Sequence, residues 1–237
     1  MTGNMHSRIK RNVFSNIDTL AHGFADYAVA ILSLALEKQQ SASLVVPGGN
    51  TPRTYLPALA AKPLPWNRVT ITLSDERWVD TKSEDSNECL VKKFMLDRLP
   101  QKAHFVGLKT WHDTPDEAIP EIDRRLEKIT LPFTLTVLGL GEDGHIASLF
   151  PGLQLHEPQQ NALPSHCLAV YPPISPTPRI SLSLDALARS EQIALVVTGH
   201  SKRKLLDQLS DNPNRRVPLV WLLQWSQSTI TVFETDR

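Results

Sequence analysis

The residues of this sequence best suited to chemistry lie in the segment VLGLGEDGHIASLFPG, residues 137–152. Asp143 and His145 stand two positions apart, and a histidine beside a carboxylate can act as a general base near neutral pH. The flanking glycines would let the backbone come close to a small substrate. Alternatively, Asp143 hydrogen-bonds the turn and His145 caps a short helix, and this segment alone leaves both interpretations open. A metal site is disfavoured because a third ligand at convincing spacing is missing.

The same segment contains Gly139, Gly141 and Gly144 in the G-x-G-x-x-G spacing of a dinucleotide-binding turn. Such a turn needs a full helix whose N-terminus meets the pyrophosphate, and it normally opens the first βαβ unit of a chain. Here Pro151 and Gly152 would end a helix within two turns, and the motif lies past the middle of the chain. The spacing is therefore a weak indication, and it does not predict a nicotinamide or flavin cofactor.

A second candidate site is the segment VVPGGNTPRTYL, which places Gly48, Gly49, Asn50 and Thr51 between a strand and a helix that starts near Pro52. Free amides at a helix N-terminus, together with small hydroxyl and amide side chains, suit a phosphate monoester. The alternative is a plain turn from strand to helix with Thr51 as the N-cap. The two glycines before the helix favour the phosphate interpretation.

Two basic residues fit the same phosphate. Lys202, in TGHSKRKLL, lies early in a predicted helix after a strand, where its ammonium could reach a phosphate as a point charge. Arg179, in TPRISLSL, heads a strand after prolines and could bind a phosphate in a bidentate manner. Taken singly, the lysine is more simply a solvated helical residue and the arginine an exposed residue of an edge strand. The phosphate interpretation rests on the segments together.

The segment LSDERWV places Asp75, Glu76 and Arg77 at the end of a predicted strand. A salt-bridged surface turn would explain this cluster. Alternatively, Arg77 faces a reacting carbonyl or its anion and is oriented by the neighbouring carboxylates. Downstream, the segment SEDSN (residues 83–87) is well suited to cap the next helix.

Helical and strand patterns alternate along the chain, which favours an α/β fold with a mostly parallel sheet. The patterns predict helices over residues 16–38, from about 52, and over 87–98, 116–129 and 202–209, with Pro120 disturbing the start of the fourth. They predict strands over residues 43–46, 68–73, 133–141, 167–173, 179–184 and 192–199, while 217–223 and 228–234 are left unassigned. The polar loops PGGNTP, SDER, GLGEDGH and TGHSK each follow a predicted strand, so parallel strands would bring them to one edge of the sheet.

The composition is that of an ordinary globular protein, with 41% hydrophobic and 21% charged residues among 237. Twenty-five basic residues balance 25 acidic ones, so nothing in the charge suggests a nucleic-acid or membrane surface. The two cysteines, Cys89 and Cys167, indicate neither a disulfide framework nor a metal site. The N-terminal segment lacks an apolar signal core, and no apolar run reaches the roughly 18 residues of a membrane span, so we expect a cytoplasmic protein.

In this order, the segments PGGNTP, SDERWV, GLGEDGHIASLFPG, PRISLSL and TGHSK resemble those of the 6-phosphogluconolactonases. The resemblance runs from about Val45 to Lys202 and is most specific in GEDGHIASLFPG. The wider superfamily also holds glucosamine-6-phosphate deaminases and ribose-5-phosphate isomerases. The resemblance implies an α/β fold with a Rossmann-like, mostly parallel sheet flanked by helices, and we expect one domain over residues 1–237.

Two positions separate this sequence from the deaminases that share DGHIA. The deaminase motif continues with a catalytic glutamate before its proline, where Phe150 stands here, and deaminases commonly have tyrosine at the position of Arg77. Both differences favour lactone hydrolysis. The sequence also departs from the lactonase pattern, since Asn50 replaces a more usual serine and Gln224 lies where an acid is common. These departures concern the wall of the pocket more than the reaction.

The resemblance implies hydrolysis of 6-phospho-D-glucono-1,5-lactone to 6-phospho-D-gluconate in the oxidative pentose phosphate pathway. His145 would take a proton from the attacking water, Asp143 would orient or stabilise the imidazole, and Arg77 or backbone amides of the glycine loops would stabilise the oxyanion. Substrate and phosphate would be bound by Gly48, Gly49, Asn50, Thr51, Asp75, Gly144, Arg179 and Lys202. The reaction requires no metal or organic cofactor. The expected partner is the small sugar-phosphate lactone, with no nucleic acid or membrane, and we expect a monomer, with a dimer left open.

Three other functions are weighed against this one. A sugar-phosphate isomerase or deaminase is disfavoured by Phe150. A non-enzymatic sugar-phosphate sensor, of the kind found as effector domains of transcriptional regulators, would need a DNA-binding helix-turn-helix, for which the residues before the first predicted strand are too few. An inactive paralogue is disfavoured by the intact Asp143 and His145.

Overall fold

The computed structural model describes residues 5–153, 165–172 and 175–236. The helices are α1 (Ile17–Lys38), α2 (Pro52–Ala60), α3 (Asn87–Phe94), α4 (Pro115–Leu126), α5 (Leu184–Ala188), α6 (His200–Asp211) and α7 (Pro218–Trp225). The strands are β1 (Ile9–Val13), β2 (Ala42–Val46), β3 (Val69–Leu73), β4 (Asp75–Arg77), β5 (His104–Val106), β6 (Leu135–Gly139), β7 (Cys167–Val170), β8 (Arg179–Leu182), β9 (Gln192–Thr198) and β10 (Ile230–Thr235). Short 3₁₀ turns occupy Met5–Arg8, Trp66–Arg68 and Leu96–Arg98.

The main sheet has seven strands in the described residues, in the order β1-β10-β9-β6-β2-β3-β5, and every neighbouring pair is parallel. Its central strands are largely apolar and buried, and β2 (ASLVV) is buried along its whole length, because helices cover the sheet. The predicted α/β fold with a Rossmann-like, mostly parallel sheet is confirmed.

Helix α1 is long and apolar enough to cross a membrane by length and composition alone. In the structure it is a core helix, since one face is buried and packs on α2 and β10. Phe24 makes edge-on ring contacts with Tyr55 of α2 and Phe233 of β10. The helix begins with a capping box in which Asn16 and Thr19 satisfy each other's backbone N–H groups.

A second sheet, with the strand order β4-β8-β7 and antiparallel pairing, lies at the carboxyl end of β3. Only Ser74 separates β3 from β4, and its backbone bonds both Val46 at the end of β2 and Leu182 at the end of β8. This junction brings β4 and β8 next to the edge at which the parallel strands end. Arg77 and Arg179 are directly opposite each other in the pairing.

Several local predictions were wrong. The helix predicted over 87–98 ends at Phe94, because Met95 leaves helical torsions (φ −134°, ψ −65°) with its side chain fully buried, and a 3₁₀ turn follows. Pro120 does not disturb α4, which runs unbroken from Pro115 to Leu126. The edge strands β1 and β5 were not predicted, and the segments of α7 and β10 were left unassigned. Residue 173, the end of the strand predicted over 167–173, lies outside the described residues.

Candidate active site

One cleft of about 380 Å³ opens at the carboxyl edge of the main sheet. Each of the four polar loops that follow predicted strands contributes to its wall, and so does β8. Parallel pairing explains this convergence, because β2, β3, β6 and β9 all end at the same edge. The candidate residues that line the cleft are Gly48, Gly49, Asn50, Thr51, Asp75, Arg77, His145, Arg179 and Lys202.

Asp143 and His145 form a hydrogen-bonded pair, and His145 lines the cleft. The Nδ1 atom of His145 lies 2.6 Å from Oδ1 of Asp143, and the same oxygen accepts the backbone N–H of His145 at 3.1 Å. Burial works to raise the pKa of Asp143, but these hydrogen bonds and the imidazole charge outweigh it and lower that pKa. With Nδ1 held by an ionised carboxylate, Nε2 is the ring nitrogen available to a ligand.

The glycines of this loop have specific steric roles. A Cβ atom at Gly141 would lie 2.1 Å from Nδ1 of His145, so the imidazole occupies the space that a larger residue would need. Gly144 has φ +88° and is packed against Val217, where a Cβ would meet a methyl at 2.5 Å. Gly144 was expected to bind substrate. In the structure it shapes the turn and is not among the residues that line the cleft.

The short helix that the alternative interpretation of His145 requires is not formed. Residues 145–150 make a turn closed by an Ile146–Leu149 bridge, so His145 caps no helix. This result removes both the capping alternative for His145 and the helix that a dinucleotide-binding turn would need. The turn instead places Ser148 against Asp75 and Phe150 against His145.

Phe150 and Ser148 contact residues of the cleft, a role that was not predicted for either of them. The Phe150 ring centroid lies 4.8 Å from that of His145, and the Arg179 guanidinium carbon lies 5.5 Å from the same phenyl ring. Ser148 Oγ donates to Asp75 Oδ2 at 2.6 Å and accepts from Arg179 Nη1 at 3.4 Å. The residue that replaces the deaminase glutamate is therefore a packing surface shared by the histidine and an arginine.

Arg77 and Arg179 form a pair of cations on adjacent antiparallel strands. Burial lowers the pKa of Arg179, Asp75 opposes that effect, and Arg77 adds to it by like-charge repulsion. Among the residues that the structure describes, the buried Nε atom of Arg179 has no hydrogen-bond partner. Two neighbouring guanidiniums with an unsatisfied donor favour an anion as ligand. Because β8 is the central strand of its sheet, the interpretation of Arg179 as an exposed edge residue was wrong.

The two carboxylates beside Arg77 do not hold its guanidinium in the way expected. Arg77 Nη1 donates instead to the carbonyl oxygen of Asp85 at 3.0 Å and to Oδ1 of Asp85 at 3.3 Å. Asp75 is buried, and its oxygens accept hydrogen bonds from the hydroxyl groups of Ser74 and Ser148. Glu76 is fully buried and bonds mainly to backbone N–H groups.

The loop from Gly48 to Thr51 forms another part of the wall. Gly48 packs on the side chain of Asn87, where an added Cβ would lie 1.8 Å from Oδ1, and Gly49 has φ +92°. Thr51 already has helical torsions and makes no side-chain cap, so its predicted N-cap role was wrong. Its hydroxyl lies 3.0 Å from that of Thr198 at the end of β9, which ties this loop to the start of α6.

Lys202 lies in the first turn of α6, half-buried in the wall of the cleft. Gln224, the other position that departs from the lactonase pattern, is exposed on α7 and is not among the lining residues. Asn87, which was predicted to lie in a helix cap and was given no role in the site, does line the cleft. Within the described part of the chain, no three His, Cys, Asp or Glu side chains are grouped to hold a metal ion.

Comparison with known proteins agrees with this geometry. The family model of glucosamine-6-phosphate isomerases/6-phosphogluconolactonase matches residues 15–231. A 6-phosphogluconolactonase of Pseudomonas aeruginosa is 38% identical over 203 residues, 84% of each chain. The crystal structure of a 6-phosphogluconolactonase from Shewanella baltica is 31% identical with a TM-score of 0.87, covering 95% of this chain and 97% of that one.

A monomeric glucosamine-6-phosphate deaminase shares the fold, with a TM-score of 0.77 over 95% of this chain and 97% of that one. At 17% identity, this likeness shows the architecture alone. The family match covers most of the chain and includes every element that lines the cleft. The chain belongs to the glucosamine-6-phosphate isomerase/6-phosphogluconolactonase family.

Proposed function

We propose that this protein hydrolyses 6-phospho-D-glucono-1,5-lactone to 6-phospho-D-gluconate, in the oxidative pentose phosphate pathway. The observation that carries the proposal is the hydrogen-bonded Asp143–His145 pair, whose imidazole lines a cleft that Arg77, Arg179 and Lys202 also line. A lactone phosphate needs a base at its carbonyl and cations at its anionic groups, and this arrangement offers both. The names of the relatives support the same activity.

In the proposed reaction, Nε2 of His145 takes a proton from water as the water oxygen attacks the lactone carbonyl. Asp143, held at Nδ1, keeps the ring oriented and stabilises the imidazolium that forms. The imidazolium then returns the proton to the ring oxygen as the C–O bond breaks. The product is an open-chain carboxylic acid, which ionises in water. A lactone is already an activated ester, so no metal or organic cofactor is required.

The tetrahedral oxyanion needs donors placed before the reaction begins. Arg77 meets this need, since its guanidinium is fixed by two bonds to Asp85 at the wall of the cleft. Backbone amides of the glycine loops are the other donors available. The phosphate is assigned to the loop from Gly48 to Thr51 together with Arg179 and Lys202, because these residues supply amide, hydroxyl and cationic groups.

The test is the disappearance of lactone generated in place by glucose-6-phosphate dehydrogenase, followed with and without the protein. The spontaneous rate is subtracted, and a His145→Ala variant serves as the control. Acceleration by the wild type and its loss in the variant support the proposal. No acceleration contradicts it, and release of ammonia from glucosamine 6-phosphate or binding without turnover would then identify a deaminase or a sensor. We propose a cytoplasmic monomer for the active form, which size measurement in solution would test.

A further inference from the structure

A fully buried carboxylate lies directly behind the wall of the cleft. Glu76 is flanked in sequence by Asp75 and Arg77, both of which line the cleft, but its own side chain points away into the protein and is not a lining residue. A carboxylate without contact to water is costly unless its oxygens are hydrogen-bonded. The proposed reaction gives Glu76 no chemical step, so its presence needs another explanation.

Four donors converge on the two oxygens of Glu76. Oε1 accepts the backbone N–H groups of Arg77 at 2.7 Å and Asn87 at 2.8 Å. Oε2 accepts the N–H of Glu88 at 2.8 Å and the hydroxyl of Ser86 at 3.0 Å. Three of these donors belong to the N-terminus of α3, where free N–H groups favour a negative charge.

These bonds join two segments that together hold Arg77. The first is β4, whose Arg77 backbone is bonded to Glu76. The second begins immediately after Asp85, the residue that receives the Arg77 guanidinium. Glu76 thus fixes both the origin of the arginine side chain and the segment that anchors its far end. The same connection places Asn87, whose Nδ2 donates to the carbonyl of Asp75 at 2.8 Å.

An ionised carboxylate satisfies all four donors, because each of its oxygens accepts two of them. In a glutamine or a protonated glutamate, one of the two side-chain positions carries its own hydrogen. That N–H or O–H group would face a backbone N–H or the Ser86 hydroxyl, and an acceptor site for these donors would be lost. Two charged groups near Glu76, Asp75 and Arg77, lie on its own strand. Glu88 on α3 is also near and is paired with Lys92. The ammonium of Lys109 interacts with Glu76 at longer range. Burial raises the pKa of Glu76 to about 7, although the four hydrogen bonds oppose that shift.

We infer that Glu76 is a positioning residue for the reaction, holding β4 to the start of α3 so that Arg77 faces the developing oxyanion. The inference rests on the proposed function, in which Arg77 stabilises that oxyanion. Glu76 itself does not touch the substrate. Its effect on the rate should therefore be exerted through Arg77, and this dependence can be measured.

The test is a double-mutant cycle with Glu76→Gln, Arg77→Gln and the double variant, read as kcat and KM for the lactone. Arg77→Gln should lower kcat by roughly 100-fold, the scale of a lost oxyanion donor. Glu76→Gln should lower kcat by roughly tenfold, with a smaller change in KM, because a misplaced donor is weakened but not removed. The double variant should match Arg77→Gln alone, since there is no positioned arginine left to disturb.

A matched control is Glu234→Gln, which alters another fully buried carboxylate, one held by Arg11 and Arg203 at the end of β10 and not lining the cleft. Glu234→Gln should lower the melting temperature of the protein but leave kcat at the wild-type value. Losses that multiply in the double variant, or a Glu76→Gln enzyme with wild-type kcat, would overturn the inference. If Glu76→Gln does not fold, Ser86→Ala removes one donor and enters the same cycle, with Thr114→Ala controlling for the loss of a helix cap.

The wild-type enzyme in the same assay separates the two proposals. If it accelerates lactone hydrolysis but the cycle is additive, the lactonase function stands and the role of Glu76 is wrong. If it does not accelerate hydrolysis, the proposed function is wrong. In that case, calorimetry measures the affinity of the wild type and the three variants for 6-phosphogluconate. Additive effects of Glu76→Gln and Arg77→Gln on this affinity would again overturn the positioning role of Glu76.

Discussion

The imidazole of His145 occupies the space that a side chain at Gly141 would fill. A Cβ built on Gly141 lies 2.1 Å from Nδ1 and 2.2 Å from Cε1 of the ring. The backbone N–H of Gly141 also donates to the carbonyl of His145 at 2.9 Å, so the two residues are tied together as well as packed. The position of the proposed base therefore depends on the absence of a methyl group four residues earlier.

Gly141→Ala should lower kcat by roughly tenfold to 100-fold while the protein remains folded. The added methyl displaces the ring from Asp143, and a general base is worth about 100-fold or more when correctly placed. Steady-state kinetics with circular dichroism would check both parts. Gly139→Ala is the comparison, because a Cβ there meets nothing within 4 Å, and its kcat should fall far less. Equal losses in the two variants would contradict this steric explanation.

Asp143→Asn should give an intermediate loss of kcat, about tenfold or more, between wild type and His145→Ala. The amide keeps the size of the side chain but carries no charge to stabilise an imidazolium, and it can present a donor to Nδ1. KM should change little, because Asp143 is not in the wall of the cleft. A variant with full turnover would show that the 2.6 Å contact between Asp143 and His145 serves the turn and not the reaction.

Much of the cleft was predictable because local sequence and the parallel topology point to the same place. The loop glycines, Asp143 and His145 follow one strand, and the other loops reach the same edge through the carboxyl ends of neighbouring strands. What the sequence could not show is pairing between distant segments. The contact of Ser148 with Asp75 and the pairing of Arg77 with Arg179 depend on β4 and β8 meeting in a second sheet.

The fold errors have the same origin. Strand β1 (IKRNV) contains three consecutive polar residues, so it has no apolar pattern and forms only because β10 provides a parallel edge. The β5 strand is three residues long, too short for a periodic signal. The sequence showed only that Phe150 stands where the deaminases have a glutamate. Its ring contacts with His145 and Arg179 depend on the folded arrangement of distant segments.

Arg179→Gln should mainly raise KM, by roughly tenfold to 100-fold, because a hydrogen bond to a charged group contributes about 1.5–3 kcal/mol and acts in both ground and transition states. Lys202→Gln should act in the same direction. Inorganic phosphate as a competitive inhibitor gives a second measurement, and its inhibition constant should rise in parallel.

The control for Arg179 is Arg189→Gln, which removes an exposed arginine paired with Asp185. Its KM should equal that of the wild type. A loss confined to kcat in Arg179→Gln, with phosphate inhibition unchanged, would move Arg179 from the phosphate to the reacting carbonyl, as its shared contact with Phe150 would allow.

The buried carboxylate of Glu76 should make stability depend on pH in a direction opposite to that of an ordinary ion-paired acid. Its folded pKa of about 7 lies above the ordinary 4.5, so between these values the folded state holds a proton that the unfolded chain has lost. Stability from this group is therefore greatest below pH 4.5 and falls as pH rises, by up to about 1.4 kcal/mol per pH unit. Above pH 7 both states are ionised and the dependence ends.

Chemical denaturation of wild type and Glu76→Gln across pH 4.5 to 7.5 would measure this effect as a difference, because other titrating groups cancel. The free energy of unfolding of the wild type should fall by about 2–3 kcal/mol relative to the variant over that range. Glutamine does not titrate, so its own cost is a constant offset. If the difference in unfolding free energy does not change with pH, the four donors outweigh burial and keep Glu76 ionised over the whole range. The positioning role of Glu76 would then stand, and the predicted protonation of the folded state below pH 7 would be wrong.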